Sequence, residues 1–439
     1  MKRLQITLIA LVGGVMVLLC VALGFFLTRE IPSGDGSGNY SLVQEKKFQT
    51  KDIQRLKIDY GKNSTDVAFY EGAGDEIIVR EYMNYTPRQN QLSAMELSGG
   101  ELTIRGARRS QFSFFSIGLR GSYTEIYLPA GFARGMEALN VKTVSGDISS
   151  EIGLEIQNGC NLSSTSGDMR FPRVQAGKIQ VSSTSGDITI EEAAGGMAVS
   201  TTSGDIRLGE TAGNLTVSST SGAVRLESAE AETLDISTTS GDITVDQARG
   251  KADISTTSGE VKISGLEGSL GVSSTSGDIR LGQVTGDVSL STSSGGVRLQ
   301  EGKGNLDAES TSGDIRVEAL AGSFRMDTTS GELAISRAGS FGTAHSVSGD
   351  IRILLSDLAG NLDISTTSGT IDLAIPKTAD FQFRFGTTSG ECRTFFDEAL
   401  SFDSKRHSAR GQYGEGIHSV EISSVSGDLS VREFSDSDL

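Results

Sequence analysis

The chain has 439 residues, with 55 Gly, five Pro, three His, three Cys and no Trp. Its net charge of −17 and pI of 4.7 exclude nucleic acid and an anionic membrane surface as broad partners. Three scattered His offer little general-base chemistry and no metal-ligand spacing such as His-Glu-x-x-His.

At the start, Met1-Lys2-Arg3 precedes an apolar run from Ile6 to Leu27. That length predicts one transmembrane helix, a signal anchor over 5–27, with Lys2 and Arg3 holding residues 1–4 in the cytoplasm. Everything beyond Arg29 is then expected outside the cytoplasm, in a single-pass cell-membrane protein. Cleavage after the small residues around Ala22 and Gly24 stays open. Residues 28–45, rich in Gly and Ser, read as a linker.

Residues 46–138 carry strand patterns at 56–60, 66–70, 77–81, 102–105 and 124–129, and read as an N-terminal β cap. One basic and aromatic stretch breaks the acidic background: Arg108, Arg109, Phe112, Phe114 and Phe115, with Arg105 and Arg120 beside it. It is either a hairpin whose Phe side chains complete the cap or a loop that contacts lipid headgroups or an anionic polymer.

From 139 to 432 the chain repeats the phrase Ser-Ser/Thr-Thr-Ser-Gly-Asp-Ile. Its Gly falls at 146, 167, 186, 204, 222, 241, 259, 277, 295, 313, 331, 349, 369, 390 and 427. Most gaps are 18 or 19 residues. Such a unit cannot bury an apolar face alone and must stack on its neighbours. Apolar residues sit seven and five positions before the Gly (Leu234, Ile236) and two and four after it (Ile243, Val245). That is the alternation of strands. The fold expected is therefore all-β: a single-stranded β-solenoid, or β-helix, of about 15–16 coils spaced by about 4.8 Å. One degenerate coil is expected around Ser408, where the last gap nearly doubles.

The phrase itself is read as structural. Ser240, Gly241 and Asp242 represent a corner in which Gly supplies positive φ and Asp bonds nearby amides. The Ser before the Gly, and the Ser or Thr two residues earlier, are expected to form two buried hydroxyl ladders. The residue after the Gly is acidic in twelve of fifteen copies, and Arg or Lys follows two positions on in nine. A basic column beside an acidic one would relieve repulsion. A calcium ladder is the alternative, although the Gly-Gly-x-Gly-x-Asp phrase of calcium-binding repeats is absent. Outward Ser and Thr four and two residues before the Gly form further rows. Thr239, Thr257 and Thr275 are candidate surface contacts, or simply good strand residues.

Past Ile375-Pro376 the chain turns Phe-rich and is expected to plug the stack, and 433–439 reads as an acidic disordered tail. Cys160 and Cys392 lie about twelve coils, or about 58 Å, apart and cannot pair within one chain.

The strand Ile126-Tyr127-Leu128-Pro129, the opening Val144-Ser145-Gly146-Asp147-Ile148, the repeated Thr-Ser-Gly-Asp-Ile and the closing Gly414-Glu415-Gly416 resemble the bacterial adhesin-like β-solenoid domain of unknown function. The resemblance spans about 46–434. It implies an envelope protein, often membrane-tethered, with some relatives tied to envelope stress, and supplies no catalytic residue, cofactor or metal.

Three readings follow. The first is a membrane-anchored, non-enzymatic surface protein whose partner is a cell-envelope polymer or another surface protein. The second is a polysaccharide-active β-helix enzyme, which would need clustered acids and bases. The third is ice or mineral binding by the Ser/Thr rows.

Overall fold

The computed structural model describes residues 40–61, 64–107, 121–132, 134–339 and 341–435. The expected span at 5–27 lies outside them. Among the described residues no helix is long and apolar enough to cross a membrane. Leu42–Leu439 form one compact unit, an all-β solenoid whose about 13 turns from Gly146 to Gly369 follow one another in sequence order.

One coil shows how the sequence closes on itself. Ile243, Val245, Ala248, Ala252, Ile254 and Thr256 are buried, and the residues between them face solvent or are half-buried. Each strand lies parallel and in register with the next copy, so Val245 meets Ile263 and Ile254 meets Val272. The core is thus a column of aliphatic side chains running the length of the stack.

The corner differs from expectation in two ways. The Gly of the repeated phrase, from Gly146 to Gly349, do not have positive φ. Gly is required because its inward face lies against the carbonyl of the Gly one coil earlier, where any Cβ would overlap backbone: Gly186 meets Gly167, and Gly241 meets Gly222. Nor are there two buried hydroxyl ladders. Ser185 and Ser258, directly before the Gly, are exposed, because the Gly itself takes the inward position. Only the hydroxyl three residues before the Gly is buried, and mostly it bonds within its own coil. Ser183 Oγ accepts the Gly186 amide at 2.8 Å, and Ser274 Oγ accepts that of Gly277 at 2.8 Å. Contact between hydroxyls of neighbouring coils occurs at Thr238 and Thr256, 3.0 Å apart.

The Asp after the Gly forms the ladder between coils. Its Oδ1 accepts the amide of the equivalent residue in the next coil, as Asp147 does from Asp168 (2.8 Å) and Asp187 from Asp205 (2.8 Å). From Asp205 onward every second coil lacks the Asp. Asp205 caps Ala223, Asp242 caps Glu260, Asp278 caps Gly296, Asp314 caps Glu332 and Asp350 caps Thr370. Alternation doubles the spacing between these carboxylates to about 9.6 Å, which weakens their repulsion. In the contiguous part, burial together with Asp66 and Asp168 pushes the Asp147 carboxyl up to about 6.

Both ends depart from sequence order in the same way. At the N-terminal end Arg55–Asp59 lies between the later strands Glu101–Arg105 and Ala138–Lys142. Thr65–Gly72 likewise lies between Ser122–Pro129 and Ile148–Ser150. The outer edges are covered by antiparallel strands, Glu76–Met83 and Ala94–Ser98. A further strand, Ser41–Gln49, begins within the last five residues of the expected linker and pairs with Glu76–Met83.

At the other end His418–Ser426 inserts between Leu362–Ser368 and Phe381–Gly386. Leu429–Glu433 inserts between Ile371–Ile375 and Cys392–Thr394. Gly427 therefore stacks on Gly369, and Gly390 on Gly427. No coil forms around Ser408: Leu400–Phe402 and Ser408–Tyr413 make an antiparallel hairpin over the edge of Phe381–Gly386. Glu433 belongs to the last strand rather than the tail, and 436–439 lie outside the described residues.

Candidate functional site

The coil has two contrasting outer faces. Residues one and three positions after the Gly carry paired charges. Arg207 bridges Asp187 (3.7 Å) and Asp205 (2.9 Å), Arg316 bridges Asp314 and Glu332 (2.8 Å each), and Arg280 joins Asp278 and Glu260. These pairs are about half exposed and contribute little stability. The basic column expected beside the acidic one is therefore present.

The face before the Gly is different. Its three outward columns lie six, four and two residues before each Gly. The middle column runs Ser237, Ser255, Ser273, Ser291, Glu309, Asp327, His345 and Ser365 in strict register. Thr239, Thr257 and Thr275 line the column beside it, all exposed. The structure brings these three together as one row, and one edge of the hydroxyl face.

Where acids interrupt the middle column, a depression of about 560 Å³ opens between Ser291 and Ser365. Arg325 donates to Asp327 at 2.8 Å and lies 3.8 Å from Glu309. His345 Nδ1 is 2.7 Å from Ser365 Oγ. Although Asp327, His345 and Ser365 lie on consecutive strands, Asp327 is engaged by Arg325 and no ion pair within 4.0 Å joins it to His345. That arrangement lacks the base-to-orienter contact of a nucleophilic triad.

Other candidates fall elsewhere. Arg108, Arg109, Phe112, Phe114 and Phe115 lie outside the described residues. Ser240 and Asp242 flank the Gly241 corner. The Asp Oδ1 atoms of the ladder are occupied by amides, and among the described residues no three His, Cys, Asp or Glu are grouped to hold a metal ion. Cys160 and Cys392 are buried free thiols, both pushed up to about 12 by burial.

The site and the solenoid together raise the question of relatives. A family model described as Toastrack DUF4097 matches residues 53–247, 192–284, 269–344 and 285–432. The chain belongs to that family. No curated protein matches it. Among solved structures the Toastrack chain is similar to a proposed adhesin from Parabacteroides distasonis, at 17% identity over 68% of this chain and 98% of that one, with a TM-score of 0.27. It is similar also to a proposed cell adhesion protein from Clostridium sporogenes, at 8% identity over 90% and 100%, with a TM-score of 0.15. A third is a proposed lipid-binding protein from Parabacteroides distasonis, at 13% identity over 68% and 97%, with a TM-score of 0.19.

Sequence reasoning found Glu309, Asp327 and His345 interrupting the Ser row but missed the third outward column. The column six residues before the Gly holds Asp235, Asp253, Asp307 and Asp363. Its signal was the recurring Leu-Asp-x-Ser-Thr pattern, as at Leu234-Asp235 and Leu362-Asp363.

Proposed function

We propose that the chain is a membrane-tethered, non-enzymatic module of the bacterial cell envelope, held outside the cytoplasm by its N-terminal segment. It binds an envelope polymer or a surface protein through the solenoid face that precedes each Gly. The supporting observation is that face itself: a parallel, in-register array of exposed hydroxyls and carboxylates, uncovered by any other described part of the chain. A repeating surface suits a repeating ligand, because each added coil contributes the same small contact and the contacts sum by multivalency.

The test is co-sedimentation of residues 31–439 with isolated bacterial cell walls across a salt series, with calcium and then with chelator. Pelleting that the wild type shows and a face variant loses supports the reading. Absence of pelleting under every condition removes it. Sustained release of sugars from the walls would replace it with the polysaccharide-active alternative.

A further inference from the structure

The two outer faces differ in how their charge is balanced. After the Gly, acids alternate with Arg and most are ion-paired. Before it, from the coil of Gly241 onward, Asp235, Asp253, Asp307, Glu309, Asp327, Asp363 and Glu421 share their columns with two Arg: Arg325, which lies between Asp307 (4.0 Å), Glu309 and Asp327, and Arg384, in register with Glu421. Among the described residues Asp235 and Asp363 have no ion pair. Lys251, at the edge of the face, seats its ammonium 2.8 Å from Asp253 Oδ2 and shows what these carboxylates accept.

Between the acids the surface dips. Gly271 and Ser289 replace longer side chains in the column of Asp253 and Asp307, leaving a depression of about 430 Å³ edged by Ser255, Ser273 and Ser291. Carboxylates flanking a hydroxyl-lined notch match a ring that carries both hydroxyls and an amine. The hydroxyls pair with Ser, and the ammonium makes charge-assisted bonds to carboxylate. The Ser column runs on at about 4.8 Å per coil from Ser237 to Ser291, which extends the hydroxyl contacts along a chain of such rings. An anionic polymer would be repelled by the same columns.

Building on the envelope-binding reading above, we infer that this face binds a polysaccharide carrying free amines, a partly deacetylated amino-sugar polymer, with Asp235, Asp253, Asp307 and Asp363 taking the ammonium groups. The neighbouring Ser columns take the ring hydroxyls.

Calorimetry on residues 31–439 at pH 6 compares a glucosamine hexasaccharide, its fully N-acetylated counterpart and a Lys hexapeptide. The glucosamine oligomer should bind about tenfold tighter than either comparator. The triple variant Asp235→Asn, Asp307→Asn, Asp363→Asn should lose most of that binding at unchanged Tm, because none of the three is buried or caps an amide. A control on the other faces, Glu267→Gln, Glu301→Gln, Glu318→Gln, should keep it. Equal binding of the acetylated oligomer or the peptide overturns the assignment, as does full binding by the Asp→Asn variant. Should the wild type pellet with cell walls but not bind the glucosamine oligomer, the glycan assignment fails while the envelope reading stands; should it neither pellet nor bind, both fail.

Discussion

The two ends of the stack solve one problem with opposite chemistry. A solenoid leaves an open strand edge at each end, and both ends here tuck a terminal coil inward by one layer and cover the outermost coil with antiparallel strands. The N-terminal cover closes over a buried polar network. Tyr60 Oη bonds Thr124 Oγ1 (2.7 Å), and Ser93 donates from both its hydroxyl (2.6 Å) and its amide (3.0 Å) to Glu81. The C-terminal cover closes over aromatic rings, with Phe396 set edge-on to Phe381 and Phe383, each at 5.3 Å. Topology alone therefore does not dictate what fills a cap.

The chemistry makes the ends respond to pH in opposite directions. Burial holds the Glu81 carboxyl above the usual range. A raised folded-state pKa favours the fold at low pH, and that contribution is lost as pH rises through the raised value. At the other end Asp397 is held below its usual range: partial burial pushes it up, but bonds from Thr394 and Arg406 outweigh that. Its contribution is present above the ordinary Asp range and lost as pH falls through the lowered value.

The strongest way to separate the ends is to cut the stack between them. Gly241→Val places a side chain into the Gly222 carbonyl and should cost about 4 kcal/mol or more. Hydrogen exchange should then show the two halves opening independently, and a single cooperative transition would show that the corner tolerates a Cβ. Next in size is Phe396→Ala, which empties the aromatic plug and should cost about 3–5 kcal/mol. Protection should fall in 381–433 and stay unchanged before Gly241, a polarity that the one-dimensional coupling of stacked repeats requires.

Smaller is Glu81→Gln, which should flatten the pH response of the N-terminal end alone. In wild type, exchange in 55–129 corrected for intrinsic rate should quicken from pH 5 to pH 8, and in the variant it should not. The smallest contrast lies within one column. Ser274→Ala removes the acceptor of the Gly277 amide and should cost about 1–2 kcal/mol. Ser346 Oγ is buried without a partner, because its strand runs on through Ser348 and Gly349 donates to Ser368 O instead, so Ser346→Ala should cost almost nothing by denaturant titration.

The repeating middle was legible in sequence because each apolar position recurs in every coil, so one reading is checked many times over. Leu234, Ile236, Ile243 and Val245 are buried where the alternation puts them. The corner was misread at Gly241 because a Gly required by close approach and one required by positive φ look alike in sequence. The ends were harder still. Nothing local to Arg55–Asp59 or His418–Ser426 tells that a strand will enter between two others, since register there is set by pairing with residues tens of positions away. A trace existed: Asp66 Oδ1 accepts the Asp147 amide, so Thr65-Asp66-Val67 is a disguised Gly-Asp-Ile corner. For the candidate site, the Thr239, Thr257 and Thr275 row was readable as a surface, but the third outward column was not read as part of it.

The alternation of Asp with other residues along the ladder bears on how such a chain can change length. From Asp205 onward its pattern repeats every two coils. Removing residues 260–277 would set Asp278 directly on Asp242 and bring two ladder carboxylates to adjacent layers, whereas removing 242–277 would seat Asp278 on Ala223 and keep the pattern. Duplications and losses within the middle of this protein are therefore tolerated best in steps of 36 residues, twice the 18-residue spacing of these coils, and the two ends, each woven from strands distant in sequence, stay fixed while the middle lengthens or shortens.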